Sequence, residues 1–480
     1  MSVSTTETNL GRAVLAAAAR VPDQLAIITD RALVNYATLD QIVRGHAARL
    51  SALGIGPGLV VAVDSEDILT VVATLLGTSL VGGSWIALKN ASALAAVVTP
   101  DLVLRSSPGA LADSGTAPCV LVDETWQATE QSALPAGGDD DAPFLFNSTS
   151  GTTGTPKLMT LSQRALCLRA RAAQDDFVER ETVFCALFSP IARPYVTRML
   201  AALINGATIL HSRDFELWRE TGMNHLYGSV AQVAAFLGDV TLSPKLPMIH
   251  VSGSKLPDGL ARHLLGSFDK VIDLYASSET NRSFKNLKYL DSEGNLRTRG
   301  APLDSEVQIV DDAGAPLAQG EIGTVRVRNP YMASGYINSP EANARAFRDG
   351  WFYPGDLGRF GYEGELVIVG RSGDVINKGG IKVNALAIDE AMRAVPGIAD
   401  AMCFEGPVKD GPSEVIAFVV PAAGTTFAEA VATLSDRLPA MIAADSIPAR
   451  FVEINAVPRV HDGGAQRFLC REIYQKLRTR

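Results

Sequence analysis

Apolar runs of strand length recur through the first half of the chain, at 25–28, 60–63, 102–104, 119–122, 208–210, 248–251 and 270–274. Between several of them lie Ala- and Leu-rich stretches with the apolar spacing of a helix, at 161–175, 198–205, 228–237 and 259–268. Strands that alternate with helices predict an α/β fold layered on parallel sheets. From about residue 300 the texture changes. Short runs at 306–310, 323–328 and 365–369 are separated by Asp-Asp-Ala-Gly, Asn-Pro and Tyr-Glu-Gly turns. That pattern predicts a β-barrel-like part over about 300–370. Beyond it, helices at 385–395 and 426–439 alternate with strands at 400–404, 414–420 and 449–454, the pattern of a small α+β domain. The expected organisation is a large N-terminal domain, 1–371, followed by a small one, 372–480.

The stretch 68–88, ILTVVATLLGTSLVGGSWIAL, carries no charge and is long enough to span a bilayer. Gly82-Gly83 interrupts it, so a buried helix at 68–81, a glycine turn and a strand at 84–88 is the better reading, and no membrane association is expected. The opening MSVSTTETNL has neither the basic cluster nor the apolar core of a secretory leader. With 47% of 480 residues hydrophobic, a sizeable core is available. The net charge of −9 is poorly suited to gripping a nucleic acid. Five Cys form no CxxC spacing and six His no HxxxH spacing, which points to reduced thiols, a cytoplasmic setting and no zinc site.

The most informative segment is FLFNSTSGTTGTPK, residues 144–157. An apolar strand runs into a stretch where each residue from Ser148 is hydroxylated, Gly, Pro or Lys. A polyphosphate needs short donors, close backbone approach and a cation. Ser148, Thr149, Ser150, Thr152 and Thr153 offer hydroxyls, Gly151 and Gly154 allow the approach, and Lys157 supplies charge. A flexible linker of the same composition is the competing reading. Against it, the loop is expected to sit between a strand and a helix, with Pro156 stiffening its end. No Walker A, GxSxG, GxGxxG or HExxH pattern occurs.

Three further segments follow in order: Leu274-Tyr275-Ala276-Ser277-Ser278-Glu279, then WFYPGDLG at 351–358, then GRSGDVI at 370–376 continuing to GGIKV at 379–383. Together with STSGTTGTPK they resemble the signatures of the adenylate-forming superfamily of AMP-dependent synthetases and ligases. Its members are acyl- and aryl-CoA synthetases, peptide-synthetase adenylation domains and firefly luciferase. The resemblance implies a large domain of layered α/β sheets with a barrel-like part, and a small mobile C-terminal lid. It implies ATP and Mg²⁺, a carboxylic acid activated as an acyl-adenylate, and transfer to CoA. A carrier-protein phosphopantetheine supplied in trans, or a nitrogen nucleophile, remains open as acceptor, and so does a non-catalytic adenylate-binding homologue. A monomer or homodimer is expected.

By the same resemblance, Glu279 and Thr152 are candidate Mg²⁺ ligands, and Tyr275 to Ser278 and Ser252-Gly253-Ser254 line the adenine side. Asp356 and Arg371 face the ribose, and Gly379 and Gly380 flank a thiol tunnel. Lys157, Glu279 and Arg467 are the candidate catalytic residues. The chain departs from the pattern at Leu158, Ala276 and Gly373, and most of all near its end. There VPRVHDGGAQRFLCREI, 457–473, places Arg467, if three inserted residues are allowed, where a Lys normally bridges the substrate carboxylate and the α-phosphate; without the insertion that position is Gly464, and a surface cation is the competing reading of Arg467. Arg and Lys are not interchangeable in such a role. The acyl pocket is expected around Ile191, Arg193 and Tyr195. Amino-acid-activating members of the family carry an Asp in this segment and none occurs from Phe188 to Tyr195, so the resemblance favours an acid without an α-amine; Arg193 can pair with a second acidic group of the substrate or form a structural salt bridge.

Overall fold

The computed structural model describes residues 7–88, 98–107, 117–126, 137–149, 157–371, 374–378, 381–406, 414–459 and 466–478. The chain divides into two compact units. Of the described residues, the first takes those up to 306 together with 328–344, and the second takes 307–327 and those from 345 onward.

The first unit is built on two sheets. One has six strands, in the order Cys119–Leu121, Leu102–Arg105, Val60–Asp64, Ser84–Ala87, Pro143–Thr149 and Lys157–Ser162, all parallel except the last. The other has nine. Its parallel centre runs Phe268–Ser277, Leu246–Ser252, His225–Ser229, Val183–Ala186, Thr208–His211 and Leu25–Thr29, flanked by antiparallel strands at both edges. The central strands are buried on both faces, and Cys185, Leu226, Ile249, Val251 and Val271 pack there with Leu264 and Trp218. The α/β layering expected from the apolar pattern is therefore the observed fold.

The uncharged stretch resolves as helix Ile68–Val81 and strand Ser84–Ala87. Asp67 accepts from Thr70 N at 2.8 Å to start the helix, and Gly82, left-handed at φ 76°, ends it. Among the described residues no helix is long and apolar enough to cross a membrane. One expectation is corrected. The segment after the phosphate-loop candidate is a strand, Lys157–Ser162, before it is a helix, Gln163–Arg171. Leu158, Met159 and Leu161 are buried in the sheet, and the Ser162 hydroxyl caps the helix by accepting from Ala165 N. The loop candidate therefore joins two antiparallel strands. Two further strands, Asn281–Leu290 and Leu296–Pro302, extend the nine-stranded sheet past the expected pattern, joined by a turn in which Asp291 accepts from the Glu293 and Asn295 amides.

In the second unit an antiparallel sheet runs Phe347–Arg348, Trp351–Phe352, Gly323–Arg328, Asp356–Phe360 and Leu366–Arg371, with Glu306–Val310 also on Gly323–Arg328. A three-stranded sheet follows, Ile398–Gly406, Glu414–Pro421 and Arg450–Glu453. Helices Ala385–Arg393 and Phe427–Met441 bury Ile388, Met392, Leu434 and Leu438 with Val415 and Val419 of that sheet, and helix Arg467–Arg478 packs Cys470 and Tyr474 against Phe404 and Phe418.

Gly82 and Gly54 separate backbone strain from crowding. Both have positive φ, 76° and 82°, but a Cβ on Gly82 would lie 2.6 Å from the Gly138 amide nitrogen, whereas nothing is within 4 Å of one on Gly54. Gly54→Ala should therefore lower stability by about 1 kcal/mol and Gly82→Ala by roughly twice that or more, read from urea denaturation. Equal losses would mean that crowding at Gly82 is relieved at no cost.

Candidate active site

Strand Pro143–Thr149 pairs with Ser84–Ala87 on one side and with Lys157–Ser162 on the other. The register sets Thr149 opposite Lys157, Ser148 opposite Leu158 and Asn147 opposite Met159. Lys157 thus stands where the chain re-enters the sheet. The candidates Ser150, Gly151, Thr152, Thr153 and Gly154 lie outside the described residues, as do Gly379 and Gly380.

Glu279 is set by the end of strand Phe268–Ser277. That strand carries Tyr275 and Ala276 on either side of a bulge, and the Ser277 hydroxyl accepts from Thr280 N at 3.0 Å to turn the chain. The turn is gripped from below by Arg169, a buried guanidinium in helix Gln163–Arg171. Its Nη1 donates to the Ser278 carbonyl (3.2 Å), Nη2 to the Glu279 carbonyl (2.7 Å) and Nε to the Tyr331 carbonyl (3.0 Å). Burial lowers the Arg169 pKa to about 9, and the neighbouring charge of Arg193 pushes in the same direction. The Ala333 amide also donates to the Glu279 carbonyl, at 2.7 Å. The Glu279 carboxylate, 7% exposed, accepts a 2.6 Å hydrogen bond at Oε1 from the Tyr336 hydroxyl. The face of the same tyrosine ring lies 4.9 Å from Lys157 Nζ. Two expected residues, Lys157 and Glu279, are therefore brought to one tyrosine.

Sequence reading missed both Arg169 and Tyr336. The signal for Arg169 was a charge between the buried Leu166, Cys167 and Ala170 of one helix. Tyr336 follows Gly335 in a short polar stretch that showed no periodicity.

Arg193 opens helix Arg193–Ile204 and lines a small recess of about 220 Å³ together with Trp85, Asn147, Ile191 and Val196. Among the described residues no carboxylate lies within ion-pair distance of it. Burial lowers its pKa, opposed by the more distant Tyr227 and Glu279. Tyr195, expected beside it, points elsewhere: it is fully buried, its ring packs edge-on against His211, and its hydroxyl has no hydrogen-bond partner among the described residues. On the adenine-side candidate loop, Ser252 Oγ lies 3.0 Å from the Tyr227 hydroxyl, Gly253 is left-handed at φ 92°, and Ser254 is exposed.

In the second unit Asp356 and Arg371 are cross-strand neighbours and pair at 3.1 Å, with Asp356 buried and Arg371 half-exposed. Arg467 is placed differently from expectation. It is buried, and its Nε donates to Asp374 Oδ1 (2.9 Å) and its Nη1 to the Cys403 carbonyl (2.6 Å). Its Nη2 lies 2.7 Å from Asp389 Oδ2, an ion pair without hydrogen-bond alignment. Burial opposes the charge, but Asp389 and Asp374 outweigh it and hold the guanidinium pKa above its ordinary value. A bridge from Arg467 to a bound carboxylate would require breaking both ion pairs.

A family model for AMP-binding enzymes matches residues 14–337, and the chain belongs to that adenylate-forming family. It is 25% identical over 501 residues to the probable CoA ligase CCL9 of Humulus lupulus, with 95% of each chain covered. It is 28% identical over 503 residues to triostin synthetase I of Streptomyces triostinicus, covering 95% of this chain and 92% of the relative. ATP-bound MatB from Rhodopseudomonas palustris has the same fold, with a TM-score of 0.81 at 22% identity over 98% of this chain and 100% of that one.

The burial of Arg467 generates a stability prediction. Arg467→Met strands Asp389, which is 1% exposed, and should cost about 3 kcal/mol in urea denaturation. Adding Asp389→Leu should recover part of that loss. An unchanged midpoint for the single variant would show that the ion pairs contribute nothing to the second unit.

Proposed function

We propose that the chain is an AMP-forming ligase that activates a carboxylic acid with Mg-ATP as an acyl-adenylate and passes the acyl group to a thiol, CoA. The observation that carries this reading is the meeting of Lys157 and Glu279 on Tyr336, at the edge of a hairpin whose loop is rich in glycine and hydroxyls. A carboxylate oxygen is a poor leaving group, so direct attack by a thiol fails. Attack of the carboxylate on the α-phosphate of ATP breaks the bond to pyrophosphate and leaves AMP as leaving group for the thiol. The protein's share is positioning and charge neutralisation.

Lys157 would hold the phosphates by charge. Glu279 fits a Mg²⁺ site. Its Oε1 is taken by Tyr336, and its Oε2 accepts no hydrogen bond from the described residues. Among those residues no cluster of three or more His, Cys, Asp or Glu forms a closed metal cage. A single carboxylate oxygen with phosphate and water completing the shell is the coordination Mg²⁺ favours, and the ion would there neutralise phosphate charge. Asp356 and Arg371 would meet the ribose, and residues from 372 onward would form the lid. Arg467 is assigned a structural role.

The recess at Arg193 is read as the acid site. Its cation favours an acid with a second anionic or hydroxyl group.

Pyrophosphate exchange across aryl, fatty, dicarboxylic and amino acids tests the activation step, and addition of CoA, a carrier protein or an amine identifies the acceptor. Lys157→Ala and Glu279→Ala should each lower exchange by a factor on the order of 10². Near-wild-type exchange in both would reject the site. Arg193→Met should raise KM for the preferred acid about tenfold without lowering thermal stability, because it removes a half-buried charge that has no partner carboxylate among the described residues. A fall in melting temperature with KM unchanged would make Arg193 structural.

A further inference from the structure

We infer that Tyr336 is a positioning residue that spaces Glu279 from Lys157 and leaves one Glu279 oxygen free for the metal; this rests on the site proposed above. The tyrosine acts through two different surfaces. Its hydroxyl donates to Glu279 Oε1 at 2.6 Å, and its ring face takes the Lys157 ammonium at 4.9 Å from the centroid. One rigid side chain thus sets the separation of the anion and the cation. Occupation of Oε1 turns the carboxylate so that Oε2 is presented to a cation, which selects one-oxygen coordination over chelation by both oxygens.

The side chain is held as a positioning group must be. Tyr336 is 7% exposed. Asn343 Oδ1 accepts from its amide at 2.6 Å, and Asn343 Nδ2 donates to its carbonyl at 2.7 Å. The next amide, Ile337 N, donates to the Leu158 carbonyl at 2.7 Å, and Tyr336 forms a β-bridge to Met159. The tyrosine is therefore fastened to the strand that begins with Lys157, while Glu279 is fastened through its carbonyl to Arg169 and Ala333. Gly335 lets Asn343 close over this segment: a Cβ there would lie 3.0 Å from Asn343 Oδ1.

The test needs no acid substrate. ATP binding is measured by calorimetry at a series of Mg²⁺ concentrations, for the wild type, Tyr336→Phe, Tyr336→Leu and Glu279→Gln, with circular dichroism confirming that each variant is folded. Phe keeps the ring and loses only the hydroxyl. Tyr336→Phe should raise the Mg²⁺ concentration for half-maximal enhancement of ATP binding by about tenfold to a hundredfold, the scale of one hydrogen bond to a charged group, with Mg²⁺-free ATP affinity unchanged. Tyr336→Leu should show the same shift and also weaken Mg²⁺-free binding, since Lys157 loses its aromatic face. If Tyr336→Phe titrates like wild type while Glu279→Gln is weakened, the tyrosine only packs and the inference fails. If wild type binds no ATP, or Glu279→Gln behaves as wild type, the underlying site reading fails instead.

Discussion

A guanidinium taken out of water must find acceptors, and Arg169 finds them in three main-chain carbonyls rather than in a carboxylate. Those carbonyls belong to two separate stretches, the turn at Ser278-Glu279 and the segment at Tyr331. Arg169 itself lies on the helix that continues directly from strand Lys157–Ser162. One cation therefore ties the hairpin of strands Pro143–Thr149 and Lys157–Ser162, the Glu279 turn and the approach to Tyr336 into one frame. Compensation by dipoles alone is incomplete, which is why burial lowers the Arg169 pKa. The frame is rigid because any shift of the turn would strip acceptors from a charge that has no exit to solvent.

Much of this was legible in the residues. The buried apolar strands, the helix at 68–81 with its glycine stop, and the four ordered motifs led to the fold and family. Where the reading failed, a tertiary contact overrode a local signal. Residues 157–162 lack strict alternation, with Leu158 and Met159 both buried side by side, and the helix beginning at Gln163 masked them as a strand. Tyr195 sits among expected pocket residues, yet one helical step turns it to the opposite side from Ile191 and Arg193. Arg169 and Tyr336 carried no motif, because what they do depends on carbonyls and side chains more than fifty residues away. Burial is invisible in a single sequence, and both roles follow from burial.

Arg467 shows the same limit from the other side. Its alignment with a family position supplied a role, whereas its contacts supply another. Asp389, itself accepting from the Cys403 amide at 2.6 Å, leaves the guanidinium no orientation but inward. Asp356 and Arg371, by contrast, sit on adjacent strands where a ligand hydroxyl would need only to share the carboxylate, since the arginine is half-exposed.

The pairing of Thr149 with Lys157 has a consequence for how the segment between them can change over time. Met159 and Leu161 are buried on the same side of the strand as Lys157 and Leu158 is buried on the other, so a one-residue slip would exchange the side chains of two packed faces and carry the lysine to the opposite side of the sheet. Insertions or deletions between the two anchors must then be absorbed by the connecting residues alone. Mutational drift can rewrite that connection while oil-like packing next door conserves the address of the ammonium group.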